Sequence, residues 1–214
     1  MARQTDPTAH PERPYFPNAR LLIFAKPPVP GQVKTRLIPR LGAQGAARLY
    51  EQLIQRTLTL AVQAAHCPVQ LWCASDSDHP FFRQCAGDFN VTLHQQHGAD
   101  LGERMHHAFA AVLAHHPYAI LIGSDCPTLQ AADLRQGFSS LDEGSDAVIA
   151  PAMDGGYVLL GLRRPSPALF TDMPWSSGEE LGETRRRLQQ LGWQWRELAS
   201  QRDVDRPEDV EELL

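Results

Sequence analysis

The sequence predicts a single α/β domain in which helices flank a mostly parallel central sheet. Short apolar runs, such as residues 21–25 and 120–122, have the length and composition of strands buried on both faces. Longer segments with helical periodicity lie between them, and strands that alternate with helices require crossovers and parallel pairing. A chain of 214 residues suits one such domain, and 43% hydrophobic residues suit a packed core.

The first half of the predicted domain begins with the strand 21–25, which a Pro/Gly-rich loop follows. A helix is expected over 46–64, because its apolar side chains recur at helical spacing. Strands are expected at 69–73 and 91–93. A second helix begins at Asp100, because Asp100 and Glu103 form a capping pattern, and it ends before Pro117.

The second half begins with the strand 120–122. The expected elements that follow are a helix at 130–141, strands at 147–150 and 157–162, a helix at 177–191, a strand at 193–198 and a terminal helix at 207–214. Gly192 follows the fourth of the five expected helices and is predicted to be its left-handed cap.

The N-terminal residues differ from the rest of the chain. Residues 1–19 are polar and contain four prolines, which predicts a flexible Pro-rich arm ahead of a domain at 20–214. No apolar stretch has the length of a signal peptide or a membrane span, so we expect a cytoplasmic protein without a membrane partner. The net charge of −5 argues against a nucleic-acid partner.

Cysteines and histidines do not form a recognisable metal or disulfide pattern. The four cysteines are scattered, and we expect reduced thiols, with Cys126 a neighbour of the site rather than a nucleophile. His106 and His107 are adjacent and would point to different sides of a helix, so a zinc site is not expected.

The loop after the first strand carries three cations within eleven positions: Lys26, Lys34 and Arg36. In open α/β sheets, ligands bind beyond the carboxyl ends of the strands, where this loop lies. Prolines including Pro30 stiffen the loop, and Gly31 allows a close approach of backbone to ligand. We therefore predict a phosphate-binding loop, although it matches neither the Walker A nor the Rossmann glycine pattern.

Three acidic positions could contribute to the same site. Asp125 ends a buried strand, where a carboxylate can hold Mg²⁺ against substrate phosphates, or it could simply open a turn. Asp205 forms a capping pattern with Glu208, and the residue pattern alone favours a helix cap over a metal ligand. Asp154, followed by Gly155 and Gly156, is a hairpin signal that could also border a substrate pocket.

Six motifs occur in the order found in a known family. The chain resembles the DUF2064 family, also called radical-SAM/selenodomain-associated transferase 1, of the nucleotide-diphospho-sugar transferase superfamily with the GT-A fold. The resemblance covers about residues 21–214 and rests on these segments: FAKPPVPGQVKTRL at 24–37, DLGERM at 100–105, GSDCP at 123–127, DGGY at 154–157, WSS at 175–177 and DVDRPED at 203–209.

The resemblance implies a role for five of the six motifs. Lys34, Thr35 and Arg36 would lie near nucleotide phosphates, with Lys34, Arg36 and Asp125 in catalytic roles. Asp125 and Asp205 would hold Mg²⁺ or Mn²⁺, with Asp203 left open as an alternative to Asp205. Asp154, Gly155 and Gly156 would contact the sugar or acceptor. Asp100 would lie near the base or acceptor, although capping alone explains it.

The family is usually assigned to glycosyltransferases, which implies transfer from a nucleotide-diphospho-sugar to a small-molecule acceptor. Small nucleotidyltransferases share the same motifs, and Ser124-Asp125-Cys126 has one carboxylate where many glycosyltransferases of this fold have D-x-D. We therefore expect a transferase with a nucleotide-activated substrate, with glycosyl transfer ahead of nucleotidyl transfer. A non-catalytic nucleotide-binding module is the third alternative.

Overall fold

The computed structural model describes residues 16–64, 67–205 and 209, and it is built around a seven-stranded sheet. The strands are β1 Arg20–Ala25, β2 Val69–Cys73, β3 Thr92–Gln95, β4 Ala119–Ile122, β5 Ala147–Pro151, β6 Tyr157–Leu162 and β7 Trp195–Glu197. The helices are α1 Ile38–Ala64, α2 Pro80–Phe89, α3 Leu101–Leu113, α4 Ala131–Asp142 and α5 Glu180–Gln190, and two 3₁₀ turns lie at Thr35–Leu37 and Pro167–Leu169.

The sheet confirms the predicted mostly parallel arrangement. Its order is β3-β2-β1-β4-β6-β5-β7, and β6 is antiparallel to both of its neighbours while every other neighbouring pair is parallel. The carboxyl ends of β1 and β4 are therefore adjacent, which brings the loops after these strands to the same edge.

Successive side chains of β1 enter two different hydrophobic cores, as the pleat of a strand requires. Leu21 and Ile23 pack with residues of α1, α2 and α4, and Leu22 and Phe24 pack with residues of α3 and α5. The sheet is thus covered on both faces, which explains why its central strands are continuous apolar runs.

Within the described residues the predicted elements are found, most of them with small shifts at their ends. The exception is α1, which begins at Ile38 rather than at 46 because a kink at Gly42 joins an additional helical segment to it. One helix was missed. Asp100 caps α3 through Oδ1, which accepts from the N–H of Glu103 at 2.8 Å, and Gly192 has the left-handed φ of 67° expected after α5. The missed helix, α2, begins with Pro80 in its first turn and buries Phe82 and Cys85. Its start was hidden because His79, an uncommon cap, accepts from the N–H of Phe81.

Two predictions concern the chain ends. Most of the predicted arm 1–19 lies outside the described residues, but Phe16 and Ala19 are buried, and the Phe16 ring stacks on Phe138 with centroids 5.3 Å apart. The packed region therefore includes Phe16. The predicted helix 207–214 lies outside the described residues apart from Asp209, whose Oδ2 accepts from the N–H of Asp205 at 3.0 Å.

Candidate active site

The loop that follows β1 directs Lys34 into the protein. Lys34 has φ 46° and ψ 44°, a left-handed conformation that is uncommon for a residue with a side chain. Its neighbours Val33 and Leu37 are buried, and this anchors the loop on both sides of Lys34. A strained residue held by buried neighbours is typical of a functional position.

The Lys34 ammonium lies between two carboxylates from distant parts of the chain. Its Nζ is 3.0 Å from Asp125 Oδ2 and 3.6 Å from Asp205 Oδ1, and it donates to the carbonyl oxygen of Val204 at 2.6 Å. The Lys34 side chain is 6% exposed, whereas those of Asp125 and Asp205 are 37% and 39% exposed. Arg36, at 63% exposure, also pairs with Asp205.

The charge of Lys34 is fixed by this environment. Burial alone lowers the pKa of its ammonium, but the carboxylates of Asp125 and Asp205 outweigh burial and raise that pKa above its usual value. Lys34 therefore stays a cation at any physiological pH.

The first loop is tied to the loop after β4 through a buried tyrosine. The hydroxyl of Tyr50, on α1, accepts from the backbone N–H of Lys26 at 3.1 Å and lies 3.0 Å from Ser124 Oγ. One hydroxyl thus fixes the spacing between the start of the cationic loop and the residue before Asp125.

The C-terminal segment is held against the loop after β4 by its backbone. The N–H of Val204 donates to the carbonyl oxygen of Asp125 at 3.0 Å, and the Val204 side chain is buried beside Leu37 and Leu53. Farther back, the N–H of Arg202 donates to Thr128 Oγ1 at 3.0 Å. These contacts place Asp205 beside the cationic loop, a juxtaposition with no local sequence signal.

Together these segments enclose a cavity of about 340 Å³, which we call the polar cavity. Its lining includes Lys26, Lys34, Thr35, Arg36, Asp125 and Asp205, together with Gln32, Val33, Tyr50 and Ser176. Pro30 and Gly31 lie between the lining residues Lys26 and Gln32 and do not line the cavity themselves. Gly31 has φ 84°, and no described atom beyond its chain neighbours lies within 4 Å of the position that a Cβ would take. The left-handed backbone conformation of the turn, rather than a close approach to other atoms, therefore favours glycine at this position.

Asp203 lies near the other acidic residues. Burial, together with the charges of Asp125 and Asp154, raises the pKa of its carboxyl to about 6. Asp205, not Asp203, makes the ion pairs with Lys34 and Arg36.

A second cavity of about 250 Å³, the apolar cavity, adjoins the first, and Ser176 lines both. Most of its lining is apolar: Phe24, Leu101, Met105, Leu121, Tyr157, Val158, Leu160 and Trp175. The polar groups come from Asp154, Gly123, Gly156, Ser176 and Glu180.

The predicted hairpin positions Asp154 at this second cavity. Asp154 Oδ1 accepts from the N–H of Gly156 at 3.0 Å, and the carbonyl oxygen of Gly155 accepts from the N–H of Leu181 at 3.0 Å. A Cβ added at Gly155 would lie 2.0 Å from the carbonyl oxygen of Gly178. Gly155 is therefore required so that the hairpin can contact the segment that carries Ser176.

The structure does not bring every predicted residue to these cavities. Asp100 lies at a separate depression of about 140 Å³ with Glu103, His106 and Phe170. Its carboxylate caps α3, so the cap accounts for the contacts it makes among the described residues.

Five residues of the candidate site received no role from the sequence: Tyr50, Ser124, Trp175, Ser176 and Glu180. Ser124, Trp175 and Ser176 lie in the motifs GSDCP and WSS, but the resemblance assigned no role to their side chains. Tyr50 lies outside the motifs but gave a usable signal, since a tyrosine on the buried stripe of a helix needs a partner for its hydroxyl. Trp175 and Glu180 lie in or after a segment without periodicity, so only the folded chain shows that they share a cavity.

The acidic residues can be tested as a site for a divalent cation. Within the described ranges, no three His, Cys, Asp or Glu side chains converge to hold an ion by themselves. Asp125 and Asp205 nevertheless flank a point that already stabilises a cation, the Lys34 ammonium. Mg²⁺ is usually bound through one or two carboxylates plus substrate phosphates, and the donor set fits that mode.

None of the four cysteines lines either cavity. All four are free, and burial raises the pKa of the Cys126 thiol. None of the helices in the described ranges combines the length and apolar character needed to cross a membrane.

Solved structures with this fold include nucleotide-utilising enzymes. A "putative nucleotide-diphospho-sugar transferase" from Desulfovibrio desulfuricans is 30% identical over 92% of this chain and 86% of its own, with a TM-score of 0.83. A CMP:2-keto-3-deoxy-manno-octonic acid synthetase complexed with CTP is 15% identical over 91% and 96% of the two chains, with a TM-score of 0.59. A cytidylyltransferase from Leptospira borgpetersenii is 14% identical over 92% and 85%, with a TM-score of 0.57.

The last two similarities show the fold alone, which is that of the nucleotide-diphospho-sugar transferases. No match was found among the curated proteins. Residues 57–177 match the family described as "Uncharacterized protein conserved in bacteria (DUF2064)". Because of this match and the similarity to the Desulfovibrio protein, we conclude that the chain belongs to the DUF2064 family.

Proposed function

We propose that this protein is a Mg²⁺-dependent transferase with a nucleotide-activated substrate, and that it transfers a glycosyl group from a nucleotide-diphospho-sugar to a small-molecule acceptor. One observation carries the proposal. Lys34 and Arg36, from the loop after β1, converge with Asp125 and Asp205 on one cavity at the carboxyl ends of parallel strands. Cations and carboxylates together suit a polyphosphate and its metal ion.

Each residue has a role that follows from its position. Lys34 is fixed in direction and charge, so it can stabilise charge that develops on a leaving diphosphate without reorganising. Arg36 is exposed and offers a planar fork of donors to phosphate oxygens. Asp125 and Asp205 would hold Mg²⁺ or Mn²⁺, which supplies further charge neutralisation on the leaving group when bound.

The charges of the polar cavity support glycosyl transfer over the alternative. Lys26, Lys34 and Arg36 oppose the two carboxylates of Asp125 and Asp205. With a bound divalent ion, the cavity would carry a modest excess of positive charge. This excess matches the negative charge of one diphosphate better than the larger charge of a triphosphate together with a phosphorylated acceptor. Lys26 is exposed, and its ammonium forms no ion pair with another residue of the described ranges. It can therefore bind a ligand in the polar cavity.

Nucleotidyl transfer remains the second candidate function because of one specific observation. The segment Ser124-Asp125-Cys126 supplies a single carboxylate at the end of β4, as in small nucleotidyltransferases, and Cys126 is buried. In that case a phosphorylated acceptor would attack the α-phosphorus of a nucleoside triphosphate, and pyrophosphate would leave.

The products distinguish the candidates. The protein is incubated with Mg²⁺ and either nucleotide sugars, with and without small-molecule acceptors, or triphosphates plus sugar phosphates. Released nucleoside diphosphate and pyrophosphate are quantified. Glycosyl transfer predicts acceptor-dependent release of nucleoside diphosphate and no pyrophosphate. Pyrophosphate release would reject it in favour of nucleotidyl transfer, and binding without any turnover would indicate the non-catalytic nucleotide-binding module.

A further inference from the structure

The apolar cavity differs from the polar cavity in charge as well as in polarity. Among the residues that the structure describes, its lining contains no lysine, arginine or histidine, but it contains the carboxylates of Asp154 and Glu180. A phosphate or carboxylate placed there would be desolvated and repelled, and no cation of the lining would compensate. This cavity therefore excludes anionic groups.

The remaining chemistry of the lining suits a particular kind of neutral group. Trp175, Phe24 and Met105 line it with apolar side chains, and Asp154 and Glu180 offer oxygen acceptors at the same cavity. A saturated ring with hydroxyls presents C–H groups on its face and O–H donors around its edge. It can thus bury the face against the apolar side chains while its hydroxyls donate to the carboxylates.

The two cavities are placed to take two parts of one molecule. Ser176 lines both, and Gly123 of the apolar cavity is two residues from Asp125 of the polar cavity. A ligand whose phosphates reach Lys34 and Arg36 can extend past this shared boundary. The group attached to those phosphates then enters the apolar cavity.

We propose that the apolar cavity binds the sugar ring of the donor and selects neutral or amino sugars over acidic sugars. The selection comes from Asp154 and Glu180, which repel a carboxylate on the ring. This inference rests on the proposed function, and it adds the charge class of the sugar.

Isothermal titration in Mg²⁺ tests the inference in two stages. The first compares adenosine, guanosine, cytidine and uridine diphosphates with their glucose esters. The second compares glucose, glucosamine and glucuronate esters of the base that binds. We expect the glucose ester to bind at least about tenfold more tightly than the diphosphate, and the glucuronate ester about tenfold more weakly than the glucose ester. Glucosamine should bind at least as well as glucose.

A charge introduced at the cavity provides a matched pair of variants. Leu101 is 43% exposed and lines the apolar cavity, so substitution there should be tolerated by the fold. Leu101→Lys should reduce the discrimination against glucuronate about fivefold or more, whereas Leu101→Gln should not. Melting curves of both variants report folding independently.

The outcomes separate the two proposals. If neither the diphosphates nor their sugar esters bind, the proposed function is rejected, and the inference is rejected with it. If a diphosphate binds but glucose adds no affinity, or glucuronate binds as tightly as glucose, the inference is overturned while the proposed function stands.

Discussion

The polar and apolar cavities lie side by side but are built in different ways. The polar cavity is held by charges and hydrogen bonds between segments far apart in sequence, such as Lys34 with Asp125 and Tyr50 with Ser124. The apolar cavity is shaped mainly by packing and by a close backbone contact between Gly155 and Gly178. Mutations should therefore affect chemistry at the first cavity and stability at the second.

The largest effect is expected at Asp125, where the polar cavity combines a buried cation with a carboxylate. Asp125→Asn should lower turnover by about 10²–10³-fold, because Lys34 loses one of its two ionic partners and the proposed Mg²⁺ site loses a charged ligand. The measurement is steady-state turnover with saturating nucleotide sugar and Mg²⁺. Asp78→Asn, at an exposed aspartate away from both cavities, should retain full turnover, and equal activity of the two variants would contradict the role of Asp125.

The next largest effect is expected at the apolar cavity and concerns stability. Gly155→Ala should lower the free energy of unfolding by about 3 kcal/mol, since φ is 95° and a Cβ would collide with Gly178. Thermal unfolding should shift down by roughly 6–12 °C. Gly192→Ala is the matched control, with φ 67° and no described atom within 4 Å, and should cost only about 1 kcal/mol.

A smaller effect is expected at Tyr50, where a pair of variants distinguishes a loss of nucleotide binding from a loss of stability. Tyr50→Phe and Tyr118→Phe each remove a hydroxyl with a hydrogen-bond partner, and each should cost about 1 kcal/mol in urea unfolding. Only Tyr50→Phe should weaken nucleotide binding, because its hydroxyl joins Lys26 to Ser124. Equal nucleotide affinity of the two variants would exclude this positioning role.

The smallest effect is expected from the ion-pair cluster of Glu183, Arg186 and Arg187 on α5, which supports the apolar cavity at a distance. Arg186 and Arg187 lower the pKa of the Glu183 carboxyl from 4.5 to about 2. Because the folded-state pKa is depressed, the stabilisation is present above pH 4.5 and is lost as the pH falls toward 2.

Arg187 connects this cluster to the apolar cavity. It donates to the carbonyl oxygen of Thr171 at 2.6 Å, and Thr171 lies in the segment that precedes Trp175. Urea unfolding at pH 7 and pH 3 should show a wild-type advantage over Glu183→Gln that shrinks at pH 3. A difference that is the same at both pH values would contradict the assignment of that advantage to the Glu183 charge.

Much of the fold could be predicted because its signals are local. The continuous apolar runs of β1 and β4, the cap at Asp100 and the left-handed Gly192 each depend on residues within a few positions of one another. Helix α2 was missed because its cap, His79, is unusual, although Pro80 and the spacing of Phe82 and Cys85 carried a signal.

The sequence by itself determined the mostly parallel sheet and which charged residues follow its strands, because short-range periodicity and capping dictate these. Only the tertiary structure decided that Asp205 reaches Lys34, since Val204 must first bind the backbone of Asp125. The apolar cavity likewise depends on the tertiary structure. Leu101, Asp154 and Trp175 share no local sequence pattern, and they come together only when α3, the hairpin and the segment before α5 pack against one another.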